Sequence, residues 1–416
     1  MSSEWPMAKL GDLTVNLDTK RKPVKEADRK PGPYPYYGAS GVVDYVDGYI
    51  FDGEHLLIAE DGENLRTRQT PIAFRACGKF WVNNHAHIVV GNERASTRYL
   101  EYAVLASDIT SYLTGAVMPK LTQGNMNRIE VPCPPLDVQD QIVGVLGSLD
   151  DRITLLRETN TTLESIAQAL FKSWFVDFDP VHAKMQGQAP EGMDEATAAL
   201  FPDSFEESEL GAVPNGWSMI SFRDSINVVG GGTPKTSVPE YWGGDIPWFS
   251  VVDAPSASDV FVVYTEKHIT EAGLNGSSTK LLPVGTTIIS ARGTVGRLAL
   301  TGCPMAMNQS CYGLRGKAGD QYFTYFSTTR LVAQLKQRAH GSVFDTITQE
   351  TFAGVSLCYP ATDAIQAFEQ LVEPLLMRIR ENLIQANSLA SIRDALLPRL
   401  ISGQLLLTTT WGQVNT

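Results

Sequence analysis

The chain has 416 residues, 43% of them apolar and 19% charged, which is typical of two or three folded domains and excludes wholesale disorder. No run of about 18 apolar residues and no signal-peptide layout occurs, and the five cysteines are scattered, so we expect a cytoplasmic protein with free thiols and no membrane span. The net charge of −12 taken alone argues against nucleic acid as a partner, but its distribution along the chain matters more than its sum.

Residues 1–137 are predicted to form a first globular domain of mixed α/β structure. Short apolar runs bounded by turn residues indicate strands at 48–53 and 55–59, and the apolar spacing of 98–106 indicates a helix. The domain holds 15 basic and 17 acidic side chains, so it is almost neutral. A local basic surface on it is therefore compatible with the acidic chain.

Residues 138–178 are predicted to form one long helix. Its apolar positions step alternately by four and three residues, which is the pattern of a coiled-coil seam. One asparagine interrupts the seam, and a buried asparagine there fixes the register at a cost in stability. The seam residues are Ile142, Leu146, Leu149, Ile153, Leu156, Asn160 and Leu163, continued by Ala167, Leu170 and Trp174.

Residues 179–210 are predicted to be a solvated connector rich in Pro, Gly, Asp and Glu, with one short helix near 194–200. Most of the net negative charge lies in the first long helix and the connector together, since residues 138–206 hold 12 acidic and only 4 basic side chains.

Residues 211–363 are predicted to form a second α/β domain, with strands at 260–264 and 286–291 and a helix at 322–338. Residues 364–403 are predicted to form a second long helix, followed by a tail at 404–416. Pro374 is expected to kink this helix or delay its start, and Arg393 lies in its seam. The second seam consists of Phe368, Val372, Leu375, Ile379, Asn382 and Leu389, with Ala386, Leu396 and Leu400 at further seam positions.

The two halves of the chain are related by an internal repeat. The segment 115–123 returns 226 residues later as 341–349, and the same offset carries the first seam onto the second. Trp5 and Asp12 match Trp217 and Asp224. We therefore predict a duplicated unit, a globular block followed by a long helix, with the two helices paired. The alternative is two unrelated amphipathic helices, each packed on its own domain.

The motifs of several enzyme classes are missing from the sequence. It contains no phosphate-binding G-x-x-x-x-G-K-[ST] or G-x-G-x-x-G loop, no N-P-P-[YF], no H-E-x-x-H, no G-x-S-x-G and no nuclease core. The glycine run 230–232 is interpreted as a turn. His85 and His87 have no third ligand at a suitable spacing, so we expect them to be structural or surface residues and predict no metal site. Catalytic residues are not expected.

Several polar clusters have the composition of binding surfaces. Residues 20–30 contain six cations and suit either phosphate contact or a solvated turn. The loops 60–68 and 290–297 join glycines to arginines, and each is followed by Asn or Gln at 83–84 and 308–309, side chains suited to adenine. Their recurrence in both halves favours a ligand-facing role.

The chain resembles the specificity subunit of type I restriction–modification systems, over essentially its whole length. The order, duplication and coverage of the matching segments carry the resemblance. These segments are 36–41, 59–64 and 118–121 in the first half, 231–236, 241–248, 290–297 and 341–349 in the second, and 134–142, 170–175 and 397–403 in or beside the helices.

The resemblance implies a mixed α/β fold in which two target-recognition domains, each a twisted β-sheet with helices, are joined by two long helices in an antiparallel coiled coil with a pseudo-two-fold internal repeat. Each domain would read one half of a bipartite, asymmetric double-stranded DNA target, and the helices would set the gap. The partners implied are two methyltransferase subunits with S-adenosylmethionine and two translocase–nuclease subunits with ATP and Mg, in defence against phage and without a membrane. This chain itself would be non-catalytic and carry no cofactor.

The clusters and the matching segments together supply the candidate DNA-binding residues. They are Lys20, Arg21, Lys22, Lys25, Asn64, Arg66, Arg68, Asn83, Asn84, His85 and Lys120 in the first half, and Thr233, Lys235, Thr236, Arg292, Thr294, Arg297, Asn308 and Gln309 in the second. Because both blocks are almost neutral, we also expect the isolated chain to bind DNA poorly until methyltransferase is added.

Two alternatives stay open at this stage. One is a duplicated scaffold or ligand-binding protein that never touches DNA, which the charge of −12 would suit. The other keeps DNA reading but places it in a methylation-only or type II-like system.

Overall fold

The computed structural model describes residues 4–208, 211–255, 259–338 and 346–407. The chain divides into two units, unit 1 with residues 1–152 and 388–416, and unit 2 with residues 153–387. The predicted tail beyond 407 and the repeat segment 341–345 lie outside the described residues. The predicted domain limits stay a prediction.

Unit 1 contains two four-stranded sheets, of order β2-β9-β6-β7 and β4-β3-β8-β5, and the pair β1-β10. Its strands are β1 (Met7–Lys9), β2 (Thr14–Asn16), β3 (Pro31–Gly38), β4 (Gly41–Val46), β5 (Phe51–Asp52), β6 (His55–Ala59), β7 (Ala73–Ala76), β8 (Lys79–Val82), β9 (Ala86–Gly91) and β10 (Glu130–Pro132). Its short helices are α1 (Leu10–Leu13), α2 (Asn64–Thr67), α3 (Thr97–Ala106) and α4 (Gln123–Met126), and the long helix α5 (Leu136–Phe175) starts in this unit.

Strand β6 lies at the centre of unit 1 because it is apolar on both faces. Leu56 and Ile58 pack in the cluster that includes Tyr99 and Leu100 of α3, whereas Leu57 between them packs against Phe80 of the second sheet. Alternate residues of a strand point to opposite faces, so a continuous apolar run suits a strand covered on both sides. The end of this strand is therefore held firmly, which fixes the position of the residues that follow it.

Unit 2 repeats this arrangement after the connector. Its helices are α6 (Asp179–Met185), α7 (Glu195–Ala198), α8 (Phe222–Ser225), α9 (Glu271–Asn275), α10 (Gln321–Arg338) and α11 (Gln349–Ala353), and the long α12 (Thr362–Ser402) starts in this unit and ends in unit 1. Its strands are β11 (Phe205–Ser208), β12 (Gly211–Pro214), β13 (Ser218–Ser221), β14 (Ile226–Gly230), β15 (Trp242–Phe249), β16 (Phe261–Val262), β17 (Lys267–Ile269), β18 (Thr287–Ser290), β19 (Leu298–Thr301), β20 (Ala306–Met307), β21 (Cys311–Gly316) and β22 (Ser356–Tyr359).

The sheet orders confirm the duplication predicted from the sequence. The order β2-β9-β6-β7 of unit 1 returns as β14-β21-β18-β19 in unit 2, where β16 adds a fifth strand. The parallel pair β3 and β8 returns as β15 and β20, and the antiparallel pair β1 and β10 returns as β13 and β22. Two copies of one fold are therefore present in the chain.

The long helices pair with each other, as the heptad patterns predicted, and they run antiparallel, as the family resemblance implied. In unit 2, the Asn382 side-chain amide donates to Asn160 Oδ1 at 2.8 Å, and Asn160 Nδ2 donates to the carbonyl of Ile379 at 3.3 Å. In unit 1, Arg393 Nη1 lies 2.7 Å from Asp150 Oδ1. Residues later in α5 therefore contact residues earlier in α12, as in an antiparallel pair. The alternative of two unrelated helices is wrong.

Proline and arginine disturb α12 less than expected. The helix begins at Thr362 and continues through Pro374, so the expected delayed start is wrong. Pro374 and Gln370, whose carbonyl loses its helical donor, are both exposed, and water satisfies such a group at small cost. Arg393 is tolerated in the seam because it pairs with Asp150. The seam of α12 also uses the buried Leu376 and Leu383, which the predicted positions omit.

The connector is more structured than its composition indicates. It contains α6, α7 and the first strand of the hairpin β11-β12, and the short helix predicted near 194–200 is α7 with Asp194 as its N-cap. Val181 and Phe201 are buried with Trp174 and Trp217 in one cluster. A fully solvated connector is therefore wrong, since its few apolar residues cover the end of helix α5.

Candidate nucleic-acid interface

In unit 1, loops that are distant in sequence meet at Glu60, the residue that follows β6. The backbone N–H of Glu60 donates to the carbonyl of His85 at 2.9 Å, and its carbonyl accepts from Leu121 N–H at 2.7 Å. Its carboxylate lies 2.8 Å from Arg21 Nη1 and 3.3 Å from Lys120 Nζ. We call residues 18–22, 60–62, 83–87 and 114–121 the first loop cluster.

A buried histidine ties this cluster together. The ring nitrogens of His87 lie 2.6 Å from Asp18 Oδ2 and 2.7 Å from the carbonyl of Leu121. Burial would raise the pKa of Asp18, but hydrogen bonds from His87 and the Ile88 N–H outweigh it and hold the pKa of Asp18 below its usual value. His87 therefore has a structural role, whereas His85 is exposed and contacts Asp61 at 2.9 Å.

Several candidate residues of unit 1 use their side chains inside the protein. Arg21 is 14% exposed and ion-paired with Asp18 and Glu60. Asn83 is buried and accepts the backbone N–H of His85, and Asn64 bonds the backbone of Thr70 through both of its amide atoms. These three side chains shape the loops.

Two arginines of helix α2 and its C-cap also hold neighbouring loops. Arg66 donates to the carbonyl of Gly115 at 2.9 Å, and Arg68 donates to the carbonyls of Leu105 and Ser107. Arg66 and Arg68 are nevertheless exposed in part, and the other exposed candidates of unit 1 are Lys20, Lys22, Lys25, Asn84 and His85, together with the half-exposed Lys120.

Unit 2 contains the same backbone arrangement at the end of β18. The N–H of Ala291 donates to the carbonyl of Ser310 at 2.7 Å, and the carbonyl of Ala291 accepts from Ile347 N–H at 2.9 Å. Asn308 Oδ1 accepts the N–H of Ser310 as Asn83 Oδ1 accepts that of His85. We call residues 231–236, 290–297, 308–310 and 346–347 the second loop cluster.

The glycine run of unit 2 is a close approach of two backbones and not a free turn. A Cβ atom on Gly231 would lie 1.8 Å from the carbonyl oxygen of Asn308, and one on Gly232 would lie 2.5 Å from the N–H nitrogen of Thr279. The Trp248 indole donates to the carbonyl of Gly232, and Thr233 Oγ1 donates to the side-chain oxygen of Gln309. Only glycine fits here, and the contact holds the loop 231–236 against residues 308–309 of the same cluster.

A tight turn presents the cations of unit 2. Ser290 Oγ accepts from Arg297 N–H and donates to the carbonyl of Thr294, and Gly293 and Gly296 have φ values of +76° and +80°. Side chains around this turn stay exposed. They are Lys235 and Thr236 of the glycine loop and Arg292, Thr294 and Arg297 of the turn.

The sequence comparison paired the loop 60–68 with the loop 290–297 but did not find the shared backbone arrangement, because Glu60 and Ala291 at its centre are different residue types. Aligning Ala59-Glu60-Asp61-Gly62 with Ser290-Ala291-Arg292-Gly293 at the ends of two apolar strands would have found it. In this alignment Asp61 takes the position of Arg292, and both make an isolated backbone bridge, to Lys120 and Thr346.

The structure offers no sign of a metal centre or membrane span in the part of the chain that it describes. Among those residues, no group of three or more His, Cys, Asp or Glu side chains is placed to hold a metal ion. None of the helices there is long and apolar enough to cross a membrane.

Comparison with known proteins identifies the family. The family model described as the type I restriction modification DNA specificity domain matches residues 2–165 and 214–370, one copy in each half of the chain. The chain belongs to this family. Its two copies correspond to the duplication seen in the sheets, and DNA target recognition in a type I restriction–modification system is the function of the protein.

Relatives and a solved structure agree with this assignment. The HindI type I restriction enzyme specificity subunit of Haemophilus influenzae is 28% identical over 355 residues, which are 74% of this chain and 77% of that protein. The MjaIX specificity subunit of Methanocaldococcus jannaschii is 30% identical over 41% of each chain. The crystal structure of the type I S subunit from M. genitalium has the same fold, with a TM-score of 0.59, 14% identity and 96% of both chains covered. The alternative of a scaffold that never touches DNA is therefore not supported.

Proposed function

We propose that each loop cluster of this specificity subunit reads one half of a split, asymmetric DNA target. The observation that carries the proposal is that one backbone arrangement occurs twice with different exposed side chains. A rigid backbone fixes the register on the duplex, whereas the side chains that reach base edges decide the sequence.

The side chains at equivalent positions of the two loop clusters differ in the hydrogen-bond donors and acceptors that they could offer to bases. Where the first cluster has Asp61, Asn84 and Lys120, the second has Arg292, Gln309 and Thr346. Arginine suits the two acceptors of guanine, while a carboxylate accepts from cytosine. Two copies with different donors and acceptors favour two different half-sites.

The partners do the chemistry in this proposal. The chain would direct methylation by two methyltransferase subunits that bind S-adenosylmethionine, and cleavage by two translocase–nuclease subunits that use ATP and Mg, in the cytoplasm. The duplication supports two copies of each partner, since each repeat presents an equivalent surface. The missing enzyme motifs support a non-catalytic role for this chain.

Part of the cationic charge near the loops is neutralised within the chain, as in the pairs of Glu60 with Arg21 and Lys120. Nonspecific affinity for DNA depends on the number of phosphates neutralised. We therefore propose that positive charge on the methyltransferase subunits supplies a large share of the affinity.

Selection from a pool of random duplexes tests the proposal. The chain, alone and with its methyltransferase subunits, is incubated with the pool, and the bound DNA is sequenced. The complex should select one motif made of two short specified blocks with a fixed unspecified gap, and the chain alone should retain little DNA. Selection of a single continuous block, or of no motif, would contradict the proposal.

A further inference from the structure

Two large apolar side chains stand adjacent and exposed at the tip of the loop 114–120. Val117 is 95% exposed and Met118 is 63% exposed. Single exposed apolar residues are common on protein surfaces, but here two large ones are adjacent in a loop whose two ends, Thr114 and Lys120, are polar. We call Val117 and Met118 the apolar tip.

The loop that carries the apolar tip is fixed and not a loose excursion. Thr114 and Lys120 exchange two backbone hydrogen bonds, of 2.8 and 2.7 Å, which close the base of the loop. Gly115 has a φ of +88°, and a Cβ atom there would lie 2.1 Å from the carbonyl oxygen of Met118. Only glycine allows so tight a turn.

Contacts from outside the loop hold it further. Pro119 is buried, and its carbonyl accepts from Gly62 N–H at 3.1 Å. Arg66 donates to the carbonyl of Gly115 on the other side. These contacts already order the backbone of the tip in the free protein. Insertion of its side chains into a partner therefore costs less conformational entropy.

The apolar tip is continuous with the first loop cluster. Lys120, which closes the loop, bonds the carboxylate of Glu60 and is 50% exposed, so a cationic side chain lies beside the tip. Leu121 bonds the backbone of Glu60, and Glu60 in turn bonds His85, which follows the exposed Asn84. An apolar pair that borders cations and amides matches a duplex, in which phosphates flank stacked bases.

We propose that Val117 and Met118 insert at a base step in the half-site read by unit 1 and partly unstack it. This inference rests on the proposed function and adds a specificity-determining contact to it. Apolar wedges, methionine among them, widen a groove and bend DNA at flexible steps, and the energy of this deformation depends on sequence. The tip thereby contributes to specificity without hydrogen bonds to a base.

The sequence repeat places Val343 and Phe344 at the equivalent positions of the second half, outside the described residues. An apolar pair thus recurs at this point of the repeat, although the polar residues of the two clusters differ.

The test uses the complex of the chain with its methyltransferase subunits and the motif selected from the random pool. The double variant V117S/M118S should bind the motif about tenfold more weakly, as for the loss of one specific base-pair contact, and should bind unrelated duplex as the wild type does. M118L should retain most of the affinity because it keeps an apolar side chain of similar size. M185S is the matched control, since Met185 of α6 is 56% exposed and lies in the connector.

A second readout reports on base stacking directly. 2-Aminopurine, placed at positions of the first half-site other than the methylated base, should brighten with the wild type and not with V117S/M118S. Wild-type affinity and fluorescence in the double variant would overturn the inference. So would a variant that no longer holds its methyltransferase subunits, which would assign the tip to a protein contact. Failure of the wild-type complex to select any motif would instead overturn the proposed function.

Discussion

At the scale of single residues, arginines that look alike in the sequence do two different things. Arg21 is ion-paired with Glu60 and donates to the carbonyl of Ala86 at 2.7 Å, so it holds two loops together. Arg292 is exposed on the turn after β18. The sequence supplies the residue type and the loop, but Glu60 lies 39 positions from Arg21, and only the fold brings the two together. The burial and the ion pairing of an individual arginine were therefore not predictable from the sequence.

Arg292→Ala should weaken DNA binding without a change in stability, whereas Arg21→Ala should lower the stability of the fold. We expect R292A to weaken target binding by about 1–3 kcal/mol and to relax the preference in one half-site only, with an unchanged melting temperature. R21A should instead destabilise the fold by about 1–3 kcal/mol because it leaves a half-buried carboxylate with fewer partners. Thermal unfolding and repeated selection from the random pool measure both effects. A lowered melting temperature for R292A, or unaltered selection by it, would show that Arg292 is structural.

At the scale of elements, the two helix seams were predictable because the heptad spacing joins residues only three or four positions apart in the sequence. The heptad pattern placed Asn160 in one seam and Asn382 in the other, and the structure pairs them. The continuity of α12 through Pro374, the use of Leu376 and the burial of the connector's Phe201 were not predictable, since each depends on tertiary contacts. Tertiary packing overrides local propensity at such positions.

A double-mutant cycle tests the asparagine pair. Asn382→Leu should lower the free energy of unfolding by about 1–3 kcal/mol, because the buried Oδ1 of Asn160 loses its donor. The double variant N160L/N382L should recover most of that loss, since two leucines restore an apolar seam. Urea denaturation measures each change, with Q385L at an exposed position of α12 as the control. Additive losses in the double variant would show that the two asparagines do not act as a pair.

At the scale of the whole molecule, duplication explains both the fold and the function. The same sheet order and the same backbone hydrogen bonds recur in each unit, while the side chains at their exposed edges differ. The repeat was visible in the sequence because its helices and the segment 115–123 keep their spacing. The recurrence of the two loops was visible as well, but their shared backbone hydrogen bonds were not, because the candidate binding positions carry different residue types in the two halves.

Mapping of methylated bases across the genome, in the source strain and in a strain that lacks this gene, tests the central claim most directly. We predict that deletion abolishes methylation at one split motif, with two specified blocks and a fixed gap, and that restoring the gene restores it. Restoration with R292A should alter one block of that motif and leave the other intact. Persistence of every methylated motif after deletion, in cells that express the methyltransferase, would contradict the account.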